Sequence, residues 1–364
     1  MRIVGKSSLR PINADGNMQN SKPMSLNLCA IIVASLLMLP NPEAQAQSGP
    51  KDKRITLNMV YNNLSVGSGP LWVAHNAGIF QKHGLDMTLS LARGSLSVQA
   101  MLAGSFPVGI VSASGIVSSH LGGARLKIVA GVINTLLYTV IAAPDVTSAS
   151  QLKGKRVGIS RFGDSSELAT RIAAKELGLD PDRDISMIQV GSGPDRFNAL
   201  RAGAIQAAVV GPAEVVRGKK EGFNLLIDLT TKNVEYQGSV MAMTEDLIAQ
   251  EDTALKIIRA MAEGLHFFKT RRDESVRIMS AYLKGADIEA MKQGWVAYAE
   301  RIFPVKPYPS EKGMELVIRE VASQNPGASK VTPARLFDLR FVERVDRSGF
   351  IDNLYRERPM TTAR

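Results

Sequence analysis

The chain has 364 residues, 45% of them hydrophobic and 21% charged, with 44 Lys and Arg against 34 Asp and Glu. That is ordinary globular composition, long enough for two or three domains, and it excludes a disordered tail, a collagen-like chain and a coiled coil. The net charge of +10 is scattered singly, with Lys219-Lys220 and Arg271-Arg272 as the longest basic runs, so no nucleic-acid partner is expected.

The first 25 residues are polar and carry Arg2, Lys6, Arg10 and Lys22 against a single Asp15. An apolar stretch, Leu26 to Leu39, then runs into Pro40, Pro42 and the small-x-small triplet Ala44-Gln45-Ala46. This order reads as a secretory signal peptide cut after Ala46, giving a periplasmic chain that starts at Gln47. The apolar run is about 14 residues, too short to span a bilayer comfortably. Met18 and Met24 stay open as alternative starts. Cys29 is the only cysteine and lies inside this signal, after Leu28, where a lipoprotein signal wants Gly, Ala or Ser. No disulfide, zinc–thiolate site or cysteine nucleophile is then expected in the exported chain.

Strands are predicted at Ile55 to Tyr61, Met87 to Leu91, Val108 to Val111, Leu126 to Val132 and Tyr138 to Ala142, all assigned to a first lobe. A second lobe takes Arg156 to Ile159, Ile185 to Val190, Ala207 to Val210 and Asn224 to Leu229. Phe80 to Val111 and Lys175 to Val210 share one pattern of helix, Gly stop, strand, Gly-Ser turn, short helix, Gly stop and buried strand. Their offset of roughly 95–99 residues marks a duplicated lobe, not a solenoid repeat. The tail is helical: Asp252 to Leu283 reads as one long helix, followed by Asp287 to Phe303 and Ser310 to Val321. The expected fold class is α/β with two lobes, each a mostly parallel sheet flanked by helices, and a ligand cleft between them. The expected division is a signal peptide at 1–46, the first part of lobe one at 47–142, lobe two at 143–238 and a helical completion of lobe one at 239–364. The chain is expected to cross between lobes near Ala142-Pro144 and near Tyr236-Val240.

Ligands of open α/β sheets bind beyond the carboxyl ends of the strands, which makes six loops candidates. After the first strand, Asn63, Ser65 and Ser68 lead into a helix carrying Trp72, with Pro70 in its first turn. Arg93, Gly94 and Ser95 follow the second strand, where Arg93 is either a carboxylate or sulfonate fork or a solvated turn residue. Ser112 and Ser114 follow the third, as ligand hydroxyls or as helix caps. In lobe two, Arg161, Phe162, Gly163, Asp164 and Ser165 offer a charge, an apolar face and a cap. Arg196, in Gly191 to Arg196, and Glu214, in Gly211 to Glu214, are weaker candidates, Arg196 being as readily a solvated arginine.

The sequence lacks a G-x-S-x-G elbow, a P-loop and a G-x-G-x-x-G fingerprint. His75, His83, His120 and His266 show no metal-ligand spacing. No catalytic residue, cofactor or metal is expected, and the chain is expected not to be an enzyme.

The order Gly69-Pro70-Leu71-Trp72-Val73-Ala74, Gly78-Ile79-Phe80, Gly84-Leu85-Asp86, Leu102-Ala103-Gly104, Leu152 to Gly158 and Leu200 to Gly203 resembles the periplasmic solute-binding proteins of the nitrate/sulfonate/taurine class of ABC importers. Their fold is shared with thiamine-pyrimidine synthase. The resemblance spans nearly all of 54–350. It implies a type II periplasmic-binding fold, with ligand loops at Asn63 to Pro70, Gly94-Ser95, Ser112 to Gly115, Arg161 to Ser166 and Gly211 to Glu214. It also implies a monomeric receptor that delivers a small ligand, a sulfonate, taurine-like compound or aromatic carboxylate, to a membrane permease. Pro107 and Gln206 stand where the family often has Asp. A pyrimidine-type ligand stays open, because Trp72, Phe162 and Tyr236 could stack on it, and an enzyme of the same fold acting on a small metabolite or pyrimidine is the alternative. The synthase's cysteine-rich motif is missing.

Overall fold

The computed structural model describes residues 54–356 except 233 and 286. The leader, its cleavage point after Ala46 and Cys29 lie outside the described residues.

Two five-stranded sheets carry the fold, and they share one plan. The first has the order β2-β1-β3-β10-β4, from β1 (Ile55–Tyr61), β2 (Leu85–Leu91), β3 (Val108–Ser112), β4 (Leu126–Thr135) and β10 (Glu235–Thr244). The second has the order β7-β6-β8-β5-β9, from β5 (Thr139–Ala142), β6 (Lys155–Ile159), β7 (Ile185–Gln189), β8 (Ala207–Val210) and β9 (Asn224–Asp228). In each sheet the first three strands run parallel and the fourth runs against both its neighbours. The central strands β3 and β8 are short apolar runs buried on both faces, as helix-covered parallel strands are.

The antiparallel strand of each sheet is the one beside a crossing. The chain leaves the first sheet after β4 and enters the second as β5; it leaves the second after β9 and returns as β10. Two expectations are corrected here. Tyr138 to Ala142 was assigned to the first lobe, but β5 pairs with β8 and β9. The first crossing therefore precedes β5 and does not fall at Ala142-Pro144. Tyr236 to Val240 was expected to be the second crossing, but it lies inside the ten-residue strand β10, which pairs with β3 and β4. Strand character is a local signal, whereas the choice of sheet depends on partners far along the chain.

Helices cover the sheets: α1 (Gly69–Asn76), α2 (Ser95–Leu102), α3 (Ala113–Leu121), α4 (Ser165–Glu176), α5 (Gly193–Arg201) and α6 (Pro212–Lys220) each follow a strand. The tail adds α7 (Glu251–Thr270), α8 (Arg272–Tyr282), α9 (Ile288–Ala297) and α10 (Glu311–Gln324). The long helix expected over Asp252 to Leu283 is two helices, because Arg271 (φ −121°, ψ 76°) leaves the helical region. α7 packs on α1, and Gly264 makes the approach possible: a Cβ there would stand 2.9 Å from both the Pro70 carbonyl and the Ala74 side chain. α10 packs on β10 and α3, while α9 also meets α6 beside the second sheet. After α9 the backbone widens into a π turn, Tyr298–Ile302, whose carbonyls of Ala299 and Phe303 accept hydrogen bonds from the Lys269 ammonium.

Candidate functional site

The loop at the carboxyl end of β2 approaches those at the carboxyl ends of β6 and β7. Contact between them is direct. Gly94 (φ +58°, ψ −130°) lies so close to Arg161 that a Cβ there would stand 2.7 Å from its Nη2. Arg93, exposed on the same loop, acts electrostatically on Asp195 of α5. The Gln324 side chain at the end of α10 donates to Glu167 of α4 at 3.3 Å and covers Gly163.

Several predicted residues serve their own loops. Ser65 accepts from Gly67 N and donates to Asn63 Oδ1 at 2.7 Å. Ser68 is buried and donates to the Asn63 carbonyl at 2.8 Å. Ser112 caps α3, accepting from Gly115 N at 3.2 Å. Asp164 caps α4, accepting from Ser166 N at 2.9 Å and from the Ser160 and Ser166 hydroxyls. Such caps hold the loops in shape without using a ligand. Ser112→Ala is expected to cost about 1 kcal/mol of stability, the ordinary value of a lost cap; a urea titration measures it, and a loss near zero would free Ser112 from that role. Ser95 is exposed and Ser114 partly buried, each in the first turn of its helix. Phe162, 48% exposed, presents its ring to solvent while its N–H donates to Gln189 Oε1.

Two assignments are corrected. Trp72, offered as a stacking ligand residue, has no exposed surface. It lies in the first sheet's core, stacked on Tyr282 at 4.5 Å and edge-on to Tyr61. The apolar face of a sheet-covering helix turns to the sheet, so a tryptophan one turn inside α1 is carried away from the loops. Arg196, read as equally a solvated side chain, is 3% exposed. Its Nε donates to the Val209 carbonyl at 2.8 Å, its Nη1 to Gly191 at 2.5 Å, and its guanidinium lies 5.9 Å from the Tyr138 ring centroid.

Around Arg196 lies a polar cluster of which sequence reasoning named Ser165, Glu214 and Tyr236 and missed Tyr138 and Tyr298. Tyr138, from the first crossing, shares a 2.9 Å hydrogen bond with Ser165, the first residue of α4. Tyr298, from the π turn, is buried; its hydroxyl lies beside Ser65, and it feels the Glu214 carboxyl group and Tyr138. Tyr236 of β10 feels Tyr138, Asp164 and Glu320 of α10. Burial raises the ionisation of all three tyrosines above the ordinary phenol value, so they act as neutral hydroxyls. Burial also raises Glu214, partly offset by Arg196 and Arg217. The cluster joins both sheets, a crossing and the tail. It brings together three phenol hydroxyls, one buried guanidinium and a carboxyl group, with Tyr138 the one partly exposed ring of the three.

The sequence model of the NMT1/THI5 like family matches residues 66–275, more than half of the chain. A Brachyspira hyodysenteriae protein, named as a candidate ABC transporter periplasmic binding protein, is 24% identical over 67% of this chain and 73% of its own length. Two solved structures share the fold. The periplasmic aliphatic sulphonate binding protein SsuA of Escherichia coli has a TM-score of 0.63 at 17% identity, over 78% of this chain and 92% of that one. The periplasmic nitrate-binding protein NrtA of Synechocystis has 0.62 at 13%, over 84% and 89%. With two like-ordered sheets facing through their loops and a family match across both of them, the chain belongs to the NMT1/THI5 like family and has the periplasmic binding protein fold.

Proposed function

We propose that this chain is an extracytoplasmic solute receptor that closes on a small organic anion and delivers it to the membrane permease of an ABC importer. The observation that carries the reading is the polar cluster of Tyr138, Ser165, Arg196, Glu214, Tyr236 and Tyr298, which draws on the first crossing, the helices of the second sheet, β10 of the first and the tail. A ligand touching both sides gains more from the closed arrangement than from the open one, which is what drives closure. Arg93 and Arg161 stand at the rim on opposite sides and favour an anion. The partly exposed ring of Tyr138 and the exposed ring of Phe162 suit an apolar or aromatic body. A sulfonate, a taurine-like compound or an aromatic carboxylate fits this set, and the names of the sulphonate- and nitrate-binding neighbours agree with it. The segments between β4 and β5 and between β9 and β10 serve as hinges in this reading. Asn134, Thr135, Thr230, Val234, Glu235 and Arg301, at and beside them, wall a cavity of about 390 Å³ that leaves room for movement. The leader ending at Ala46 is the proposed export route.

A second reading, an enzyme of the same fold acting on a small metabolite or pyrimidine, draws on the raised carboxyls of Glu214 and Glu320 beside the cleft. A thermal-shift screen with sulfonates, taurine, nitrate, aromatic carboxylates and pyrimidines separates the two. At about 100 times its dissociation constant, a ligand adds about 2.7 kcal/mol. An anion that raises the midpoint and is recovered unchanged is the expected result, with Arg161→Ala weakening it and leaving the fold intact. Chemical conversion of the bound compound, or a response confined to pyrimidines, would overturn the receptor-for-anions reading.

A further inference from the structure

α10 is carried by the first sheet, since it packs on β10 and α3. Its last turns lie against the start of α4, which packs on the second sheet. At this contact the Gln324 amide donates to Glu167 Oε2, which also accepts from Gly163 N at 2.7 Å. One turn earlier on α10, Glu320 faces Glu167 and Asp164, and its Oε2 is buried with no hydrogen-bond partner. Among the described residues the one cation acting on it is Arg171, which is already bonded to Glu167 at 2.8 Å and to Asp182 at 2.7 Å. Tyr236 of β10 faces it as a neutral phenol. The other elements packed on α10 are α3 with His120, the turn Pro326–Lys330 and the short helix Pro333–Leu336 with Arg335; none brings a charge to bear on Glu320.

We infer that closing the cleft takes up one proton at Glu320, so that closure is coupled to the pH of the compartment. A carboxyl group whose buried oxygen has no hydrogen-bond partner, and which faces two others across a closing joint, is not ionised at low cost. Opening parts α10 from α4, and water then solvates Glu320 as an ordinary carboxylate. In the closed arrangement burial, with Glu167 and Asp164 adding to it, pushes Glu320 up to about 8. The closed state therefore holds more protons than the open state between the ordinary carboxylate range and pH ~8. Below that window both states are protonated and closure is at full strength. Within it the closing constant falls by up to tenfold per pH unit as pH rises.

The inference rests on the reading of two closing lobes but not on any ligand. Small-angle scattering of the purified chain without ligand, from pH 5 to pH 9, tests it. The radius of gyration is expected to grow with pH in the native chain and to stay at its low-pH value in Glu320→Gln, which carries the neutral form permanently. Glu167→Gln, which removes the opposing charge, is expected to shrink the response and gives a second route should the first variant fold poorly. A native radius that does not change with pH overturns the inference, as does an unchanged response in Glu320→Gln. Scattering that follows Glu320 while no compound in the screen binds would remove the receptor reading and leave the proton link standing. A bound anion with flat scattering would do the reverse.

Discussion

Replacing Arg196 with methionine is expected to lower the unfolding midpoint by roughly 5 °C. The side chain is buried, and its two backbone hydrogen bonds tie the end of β8 at Val209 to the β7–α5 turn at Gly191. Methionine keeps most of the volume but donates nothing. Each carbonyl left buried and unpaired costs about 1–3 kcal/mol, and relief from burying a charge returns part of this, leaving a loss on the order of 3 kcal/mol. Lysine is expected to fall between, because a single ammonium cannot reproduce the two-pronged geometry of the guanidinium. Differential scanning calorimetry of the three proteins decides the matter. A methionine variant that melts with the native chain would mean that water replaces the guanidinium at both carbonyls, and Arg196 would then be free to serve a ligand alone.

Gly94→Ala is expected to have the largest effect on binding. Its backbone (φ +58°, ψ −130°) lies in a region that side chains avoid, at a cost of about 1–3 kcal/mol. The added methyl also meets Arg161 Nη2, but that atom is the far end of a flexible side chain and swings away at little energetic cost. The two effects therefore separate. The stability loss comes from the backbone and is expected to be the same size in an Arg161→Ala background. The affinity loss comes from displacing Arg161 and is expected to vanish in that background. A double-mutant cycle, with midpoints and dissociation constants for the compound found by the screen, measures both. A stability loss that disappears with Arg161 would show that the contact, not the backbone, sets the effect.

Much of the fold is legible in the chain's own pattern. β1 and β8 have the predicted limits, and the repeat of helix, Gly stop and strand marks two like-built sheets. What local pattern does not carry is partnership. β5 reads as a strand, but nothing within four residues says which sheet it joins. β10 was hidden because Glu235, Gln237 and Gly238 interrupt its apolar run, although Gln237 is buried and bonded to the Ile133 and Ser239 carbonyls. The site follows the same division. Loops after strands are legible because position in an α/β sheet predicts them. Tyr138, Tyr298 and Glu320 come from a crossing, a π turn and the face of a tail helix, and no spacing links them before the chain has folded. Arg196 stays open between solvent and ligand in the sequence, because a charge near a helix start can serve either, and only the tertiary structure brings the carbonyls of Val209 and Gly191 around it.

The exchange of antiparallel strands at the crossings also sets an order of assembly. The second sheet is complete once the chain reaches Asp228, because all five of its strands lie between Thr139 and that point. The first sheet is not: the strand that joins β4 to it is β10, which begins at Glu235, about a hundred residues after β4 ends, and the isolated bridge from Ile128 of β4 to Phe337 comes later still. In a chain that emerges from its amino end, the sheet begun first is the one finished last. During that interval β3 and β4 keep open edges rich in valine and isoleucine, the kind of surface that pairs with other chains. The period of greatest vulnerability to aggregation thus falls between the completion of β9 and the arrival of β10.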